Sequence, residues 1–550
     1  MSKSSRGVPP LDLPRTLTRR QVLAGSAAAA AVALLRPGER AVAIPVRSRR
    51  PLAAHAPAIV DPVHLRDLAR TAIDAATSAG AEYADIRIGD RREYRDGLSA
   101  VGILYGFGVR VRVGGAWAFA AGADPTVDGI ARAARSAAET ARRIAPLTKN
   151  PRPWVPAPVV TGEWRDPVQI DPFSVAPGEI LDVLTSFSRV RGLPLRASIG
   201  DPFSFRTETR VCATSEGTLV TQTLTRVLGG VNVALYRRVP TFCPQAGGLE
   251  LLLGPERHDQ IAALYDETVP LLKLPLGVAE IGRKEVVLDG QAHGSILGET
   301  LLPAFSLSRV LGEEQDARGT SFLSPMPDIL GAPLFSKLVN LDVSADANRF
   351  ARSAWDDEGV VPTGFPLMTG GAVVNYCGTR RTRSALSAWE HVHGTPAAEP
   401  AGIARGEARV FEVTDEPMGA PAAIRMPASP STMSLDELVR SVQDGYVVRD
   451  TFNVMGDHQG AGGVLGPRIM LEVKRGKIVR RIIKTRIEMA TRRFWSPTSV
   501  VALGDASTAA TVLVGRTDLW GGPPLQSLEV PAIHVRGADI LPDEIPLRGF

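Results

Sequence analysis

The sequence predicts an α+β fold with a small N-terminal α/β domain, a central α/β domain and a large strand-rich C-terminal domain. Apolar residues recur at helical spacing over residues 61–80 and again over 127–144. Between these two segments, residues 84–88, 105–113 and 116–119 alternate or concentrate β-branched and aromatic residues in the manner of strands. From residue 468 onwards the chain is again strand-rich, and Arg475-Gly476 predicts a hairpin turn.

The first predicted domain spans residues 60–148. Asp61 is suited to cap the first helix, and Gly80 is suited to end it. In the strand that follows, the alternation of apolar residues with Asp85 and Arg87 predicts a half-buried strand with its polar face in water. Gly114-Gly115 predicts the turn of a second hairpin.

Three further segments complete the predicted organisation. Residues 149–175 contain six prolines, which predicts an extended connector without secondary structure. The central domain, residues 176–276, is expected to contain a short helix at 179–188 and strands at 211–220 and 221–235, with a turn at Glu216-Gly217. The C-terminal domain, residues 283–547, opens with a strand of buried type at 285–288.

Residues 1–43 have the pattern of a twin-arginine signal peptide. Arg19 and Arg20 precede an uncharged, Ala-rich run at residues 22–35, which is shorter than the roughly 20 residues that a membrane-spanning helix needs. Ala41-Val42-Ala43 has the small-x-small form of a cleavage site. We therefore expect export, with a periplasmic or extracellular location and no stable membrane span once the signal is removed.

The net charge of the chain lies in this leader. The whole sequence contains 63 Lys/Arg and 58 Asp/Glu, and residues 1–43 hold seven of the former and two of the latter. The remainder is balanced at 56 of each, whereas a nucleic-acid-binding domain keeps a basic surplus. Nucleic acid is accordingly not an expected partner.

The three cysteines are Cys212, Cys243 and Cys377. Their wide spacing excludes a metal knuckle or a CxxC redox pair. One disulfide could form outside the cytoplasm, and the sequence does not choose the pair. Three mostly buried thiols are the expected arrangement.

Several segments, in order along the chain, resemble the TldD/PmbA family of modulator-of-gyrase-type zinc metallopeptidase homologues. They are Ser78-Ala79-Gly80-Ala81-Glu82-Tyr83, Gly106-Phe107-Gly108-Val109-Arg110-Val111, Asp171-Pro172-Phe173, Ser215-Glu216-Gly217, Asp356-Asp357-Glu358-Gly359 and residues 435–445. The resemblance implies the family's three-domain plan. It also implies that peptides bind by main-chain hydrogen bonds in a central cavity.

Active members of the family carry His-Glu-Ala-x-Gly-His, in which two histidines bind zinc and the glutamate acts as general base. Here the corresponding segment reads Gly298-Glu299-Thr300-Leu301-Leu302-Pro303, so the HExxxH motif is degenerate. The family's C-terminal cysteine ligand is also missing from the matching stretch near residues 518–522. The resemblance therefore implies no metal site and no bound cofactor, and Glu299 is left as the one catalytic candidate.

Four histidines were considered as substitute ligands. His293 precedes Glu299 by six positions and would point to another face of a helix, so a helix-start or packing role is expected. His391 and His393 have metal-like spacing only on a strand, and the following Gly-Thr-Pro predicts a loop. His458 lies in a Gly-rich turn, where it could line a cleft.

Taken with the resemblance, these residues predict the metal-free, PmbA-like subunit of a peptidase complex involved in peptide proteolysis. Its expected partners are a zinc-bearing TldD-type paralogue, or a second copy of itself, and a peptide substrate. Without metal, Glu299 is either a residual structural carboxylate or a carboxylate in a peptide cleft. Two alternatives stay open: an active metallopeptidase with substituted ligands, and a non-enzymatic peptide-binding envelope protein.

Overall fold

The computed structural model describes residues 61–542 apart from 96–99, 124, 150, 188–203, 229–244, 255, 316–318, 346–351, 394–402, 411, 429–432 and 516–524. The predicted signal at residues 1–43 and Cys243 lie outside these residues. Helices and strands are mixed along the described chain, with three large sheets, which confirms the α+β class. Among the described helices, none is long and apolar enough to cross a membrane.

The N-terminal helices and hairpin form as the sequence predicts. Helix α1 (Pro62–Ser78) is capped by Asp61, whose side chain accepts a hydrogen bond from an amide of the first turn. The chain then forms strands β1 (Tyr83–Arg95), β2 (Ala100–Val113) and β3 (Ala116–Gly122) and helix α2 (Val127–Ile144). Gly114 and Gly115 both have positive φ, as the tight turn between β2 and β3 requires.

The central region adds strands to the same sheet. Its elements are β4 (Thr161–Arg165), α3 (Pro177–Phe187), β5 (Ser204–Thr214), β6 (Leu219–Leu228), β7 (Gln245–Ala246), α4 (Glu250–Leu253) and α5 (Glu256–Leu272). The sheet follows the order β3-β2-β1-β5-β6-β4, with β7 beside β6. The turn at Glu216-Gly217 is confirmed, but the predicted strand at 211–220 was wrong at its end because it runs through that turn.

Two sequence predictions in this sheet were wrong. Residues 149–175 are not free of secondary structure, since β4 pairs in parallel with β6; a strand at a sheet edge tolerates nearby proline. Strand β1 is not half-buried either, because Asp85 and Arg87 are fully buried. Alternation predicts two distinct faces, but it does not predict whether the polar face meets water or another part of the protein.

A turn from the C-terminal region covers that polar face. Arg110 donates to Asp85 Oδ2 at 2.6 Å and to Glu358 Oε1 at 2.5 Å. Arg210 donates to both carboxylate oxygens of Asp357, at 2.9 and 3.0 Å. Buried charges are stable only when they are paired, so this turn and the sheet fix each other's position.

The C-terminal region contains two further large sheets. Their strands are β8 (Leu276–Val278), β9 (Gly282–Leu288), β10 (Leu341–Val343), β11 (Phe365–Thr369), β12 (Ala372–Val373), β15 (Ala423–Arg425), β16 (Asp444–Gly456), β17 (Gly462–Lys474), β18 (Lys477–Ile483), β19 (Thr485–Ala490), β20 (Val500–Leu503), β21 (Ala510–Gly515), β22 (Leu525–Val530) and β23 (Ile533–Pro542). A separate pair consists of β13 (Ala408–Arg409) and β14 (Met418–Gly419). The first large sheet has the order β12-β11-β10-β15-β22-β21, and the second has the order β16-β9-β23-β19-β17-β18-β8 with β20 beside β23.

Short helices connect these strands. They are α6 (Gly290–Glu299), α7 (Leu301–Ala304), α8 (Leu307–Val310), α9 (Met326–Ile329), α10 (Arg380–His393), α11 (Leu435–Ser441) and α12 (Thr491–Phe494). The predicted strand at 285–288 lies within β9, and the hairpin at Arg475-Gly476 joins β17 to β18, with positive φ at both turn residues. Both predictions are confirmed.

The side chains of Cys212 and Cys377 are buried, as expected. Burial raises the pKa of Cys212 well above its ordinary value, so its thiolate is scarce at neutral pH.

Candidate functional site

Helix α6 is the element that would carry the family's metal chemistry. It follows the buried strand β9 and begins at Asp289, whose carboxylate accepts a hydrogen bond from the Ala292 amide at 2.9 Å. The same carboxylate oxygen accepts a hydrogen bond from the Asp450 amide at 3.2 Å. One side chain thus fixes the start of the helix relative to strand β16.

Three glycines let α6 lie directly against strand β21. Gly290, Gly294 and Gly298 recur every four residues and therefore share one face of the helix. A Cβ atom added at Gly294 would lie 2.6 Å from Val512, and one added at Gly298 would lie 2.3 Å from Val514. The face that these glycines form is already filled by the β21 side chains.

This packing does not fit a zinc ligand at position 298. An imidazole there would have to pass through the space that Val514 occupies. Position 303 is a proline inside α7, and proline carries no ligand atom. Within the described part of the chain, no group of three or more His, Cys, Asp or Glu side chains could hold a metal ion. The stretch near residues 518–522 lies outside it.

Glu299 is the last residue of α6 and is half-buried. The turn between β16 and β17 lies against this end of the helix, where a Cβ added at Gly456 would be 1.8 Å from the Glu299 carbonyl oxygen. A Cβ added at Gly460 would be 2.6 Å from the carbonyl oxygen of Thr300. Because a side chain at either position would clash with the helix backbone, both Gly456 and Gly460 must be glycine for this close approach. The approach places the backbone of Glu299 next to the turn that carries His458.

His458 is exposed in the turn that the sequence predicts. His391 and His393 lie at the end of helix α10, so the loop predicted for them was wrong. The strand on which the spacing of these two residues would suit a metal is therefore not formed here.

The distal half of strand β16 was not found from the sequence. The β16–β17 register shifts between Thr451 and Asn453, just after Asp450, which adopts a φ of 62°. Beyond this bend the strand pairs with β17 alone among the described strands. Phe452 and Met455 there are 54% and 59% exposed, so a strand edge and two large apolar side chains face solvent beside the end of α6. The sequence signal for this strand is weak, since only Phe452, Val454 and Met455 are apolar here and they do not alternate.

His293 is a core residue, as the sequence predicts. Its Nδ1 lies 2.6 Å from the carbonyl oxygen of Pro531, and its ring lies 5.2 Å from that of Trp495. Since a carbonyl only accepts, Nδ1 carries the proton. Burial lowers the pKa of His293 to about 4, which keeps the ring neutral in the folded protein.

This burial predicts an acid-sensitive contribution to stability. The folded pKa of about 4 lies below the unfolded value near 6.5, so protonation favours the unfolded chain. Above pH 6.5 the ring is neutral in both states, so its titration does not lower the free energy of unfolding. As the pH falls from 6.5 toward 4, protonation of the unfolded chain lowers the free energy of unfolding by about 3 kcal/mol in total. His293→Gln, whose amide can still donate to Pro531, should flatten the free energy of unfolding over this range in urea titrations. An unchanged pH slope would contradict the assignment; the exposed His458→Gln is the control.

Two family sequence models match the chain. The PmbA/TldA metallopeptidase C-terminal domain matches residues 281–541, and the PmbA/TldA metallopeptidase domain 1 matches residues 99–141. Together these matches cover more than half of the chain. No curated protein matches its sequence.

Solved structures share the architecture. TldE from Thermococcus kodakarensis is 13% identical, with a TM-score of 0.59 over 86% of this chain and 99% of that one. Candidate modulators of DNA gyrase from Thermotoga maritima and Bacteroides thetaiotaomicron are each 14% identical. Their TM-scores are 0.60 and 0.59, over 86% and 87% of this chain and 99% and 98% of theirs. At such identity these likenesses show the fold alone.

By its domains, the chain has the architecture of the PmbA/TldA metallopeptidases, and Gly298 of its helix α6 packs against Val514. It belongs to the TldD/PmbA family.

Proposed function

We propose that this chain is the metal-free subunit of an exported TldD/PmbA-type peptidase complex, acting with a zinc-bearing paralogue on short or unfolded peptides. The observation that carries the proposal is the packing of Gly298 on Val514, which replaces a ligand by a close helix–strand contact. A chain with such a helix contributes to proteolysis by binding and positioning peptide rather than by activating water.

The distal edge of β16 is suited to bind that peptide. An unpaired strand edge presents main-chain donors and acceptors to which an extended peptide can add as a further strand. The exposed side chains of Phe452 and Met455 would contact alternate peptide residues. Glu299 lies at the end of the neighbouring helix, and we assign its carboxylate to peptide binding, where it would accept a hydrogen bond or pair with a terminal amine.

Residues 1–43 support a location outside the cytoplasm. The twin-arginine route carries folded proteins, so this leader could also carry a zinc-bearing partner that lacks a signal of its own. A separate export signal on every zinc-bearing paralogue of the host would remove the need for this step.

Purification of the native complex tests the proposal. We expect the chain, tagged at its C-terminus and isolated from the cell envelope, to bring down a paralogue that carries the HExxxH motif. Zinc should be present at about one ion per paralogue, and the isolated chain should contain no stoichiometric zinc. EDTA should abolish peptide cleavage by the complex and leave the thermal unfolding of the isolated chain unchanged.

Two results would contradict the proposal. One is stoichiometric zinc in the isolated chain, together with a peptidase activity that Glu299→Gln abolishes. The other is the absence of any HExxxH-bearing paralogue. Peptide binding is tested separately: Phe452→Ser should weaken the affinity of the complex for a fluorescent peptide several-fold, while Val63→Ser, equally exposed on α1, should not.

A further inference from the structure

Strands β8 and β18 form an apolar strip at one edge of the C-terminal sheet. β8 is a terminal strand in the sheet order and pairs with β18, with Val278 directly opposite Ile483. Leu276, Val278 and Ile281 are 56%, 64% and 63% exposed. Ile478, Val479 and Ile483 on β18 continue the exposed surface over about 20 Å, the length of a seven-residue strand.

The same edge is basic. Residues 273–283 and 475–484 contain seven Lys or Arg and one acidic residue, Glu280. Of these cations, Arg283 pairs with Asp539, Arg480 pairs with Glu472, and Arg481 is buried. The side chains of Lys273, Lys477 and Lys484 are exposed and form no ion pair with a described residue. Arg475, at the tip of the β17–β18 turn, is exposed as well.

Lysine at a strand edge has an ordinary role, since it prevents edge-to-edge aggregation. That role does not account for Leu276 and Val278, because exposed aliphatic side chains on the edge strand itself favour the aggregation that lysine prevents. Exposed aliphatic side chains beside exposed lysines therefore indicate a surface that binds a partner with both apolar and anionic groups.

The composition of the strip distinguishes between two binding partners, another protein and a lipid surface. Protein interfaces are enriched in aromatic residues and Met and are depleted in Lys. Here the exposed apolar residues are all Leu, Ile or Val, no aromatic residue lies on the strip, and the exposed cations are mainly lysines. Aliphatic side chains beside flexible lysines match a lipid surface, where the former enter the acyl boundary and the latter meet the headgroups.

We propose that the β8/β18 edge binds the surface of an anionic phospholipid bilayer. The cations supply attraction to negatively charged headgroups, and the strip of aliphatic side chains supplies shallow insertion. Binding is peripheral and reversible, and it keeps the chain at a membrane face without a spanning helix. It is independent of peptide binding, because the strip does not include β16.

Vesicle sedimentation tests this inference. The full chain, purified without detergent, is mixed with vesicles of phosphatidylglycerol and phosphatidylcholine or of phosphatidylcholine alone. We expect binding only to the anionic vesicles, and weaker binding as salt rises from 0.05 to about 0.5 M, because screening shortens the range of the attraction. Each cation removed should lower partitioning about fivefold, so Lys477→Glu/Lys484→Glu should lower it by at least about 25-fold.

Matched variants separate a local effect from net charge or misfolding. Arg132→Glu/Arg135→Glu makes the same charge change on the exposed face of α2 and should leave partitioning within about twofold. Val278→Ser should weaken binding several-fold, whereas Val159→Ser, which is 57% exposed elsewhere, should not. Thermal unfolding of every variant should match the wild type.

Two outcomes would overturn the inference. One is equal binding of the strip variant and the α2 variant to anionic vesicles. The other is no vesicle binding, with Val278→Ser instead dissociating a dimer or the paralogue complex in sedimentation velocity, which would make the edge a protein interface. Neither outcome contradicts the metal-free peptidase-subunit proposal, which rests on zinc content and paralogue capture.

Discussion

Arg110→Met should lower the free energy of unfolding by about 3–5 kcal/mol, the usual effect of removing one partner from a buried ion pair. The guanidinium of Arg110 is 1% exposed and bridges Asp85 to Glu358. Methionine fills much of the volume, but it leaves two buried carboxylates with less compensation. Urea unfolding at pH 7 measures the effect.

The pH dependence identifies the cause. Burial alone would raise the pKa of Asp85, but the charges of Arg110 and Arg87 outweigh it and hold the pKa below its ordinary value. In the wild type, the stabilisation that ionised Asp85 provides is therefore fully present above the pKa of about 4 that the residue has in the unfolded chain. It is lost as the pH falls through the lower pKa of Asp85 in the folded protein. In Arg110→Met the pKa of Asp85 should rise, so the deficit relative to wild type should shrink as the pH falls from 6 to 4.

An exposed pair provides the control. Arg425 and Glu529 lie 3.3 Å apart with side chains 57% and 43% exposed, and Arg425→Met should change stability by less than about 1 kcal/mol. Equal losses for Arg425→Met and Arg110→Met would show that burial of the cluster is not what makes it stabilising.

Gly298→Ala should destabilise the protein by about 1–3 kcal/mol, although alanine is the better helix former by about 1 kcal/mol. The new methyl group would lie 2.3 Å from Cγ1 and 2.7 Å from Cβ of Val514, well inside contact distance. The sign of the change is thus diagnostic, because an open site would give stabilisation. Gly298→His should lower the free energy of unfolding further than Gly298→Ala does. Gly298→His/Pro303→His should not gain stoichiometric zinc.

Two further variants complete this test. Gly178→Ala, in helix α3 with no neighbour within 4 Å of the new methyl group, should be neutral or stabilising. Val514→Gly removes the opposing side chain, so the double variant with Gly298→Ala should be more stable than the sum of the single effects predicts. Stabilisation by Gly298→Ala, or zinc binding by the double histidine variant, would mean that the α6–β21 packing does not exclude the ligand.

Much of the secondary structure could be predicted because its signals are local. The Asp61 cap, the Gly114-Gly115 turn and the Arg475-Gly476 turn each depend on the conformational preferences of one or two residues. Two of the predictions that were wrong, the connector without secondary structure and the half-buried strand β1, concern long-range contacts. β4 forms because β6 offers it an edge, and residues 149–175 contain no pattern of their own that reveals this.

The absence of ligand side chains at positions 298 and 303 could likewise be read from the sequence, since glycine and proline offer no ligand atoms. Their correspondence to the family's zinc histidines stays a prediction. The sequence did not reveal that Gly298 is needed for packing on β21, because Val514 lies more than 200 residues away along the chain. The bend at Asp450 and the distal edge of β16, which no described strand pairs with, were also missed, since register and edge position depend on which strands become neighbours.

The sequence by itself determined the family, the order of many of the elements and the absence of histidine at positions 298 and 303, because residue identities and short-range preferences are sufficient for these. Only the tertiary structure decided that Asp85 and Arg87 are buried, that helix α6 has no room for an imidazole at position 298, and that the β16 and β8 edges are exposed. The physical reason is the same in each case. Burial, close packing and strand edges are properties of surfaces that meet only after distant segments have folded together.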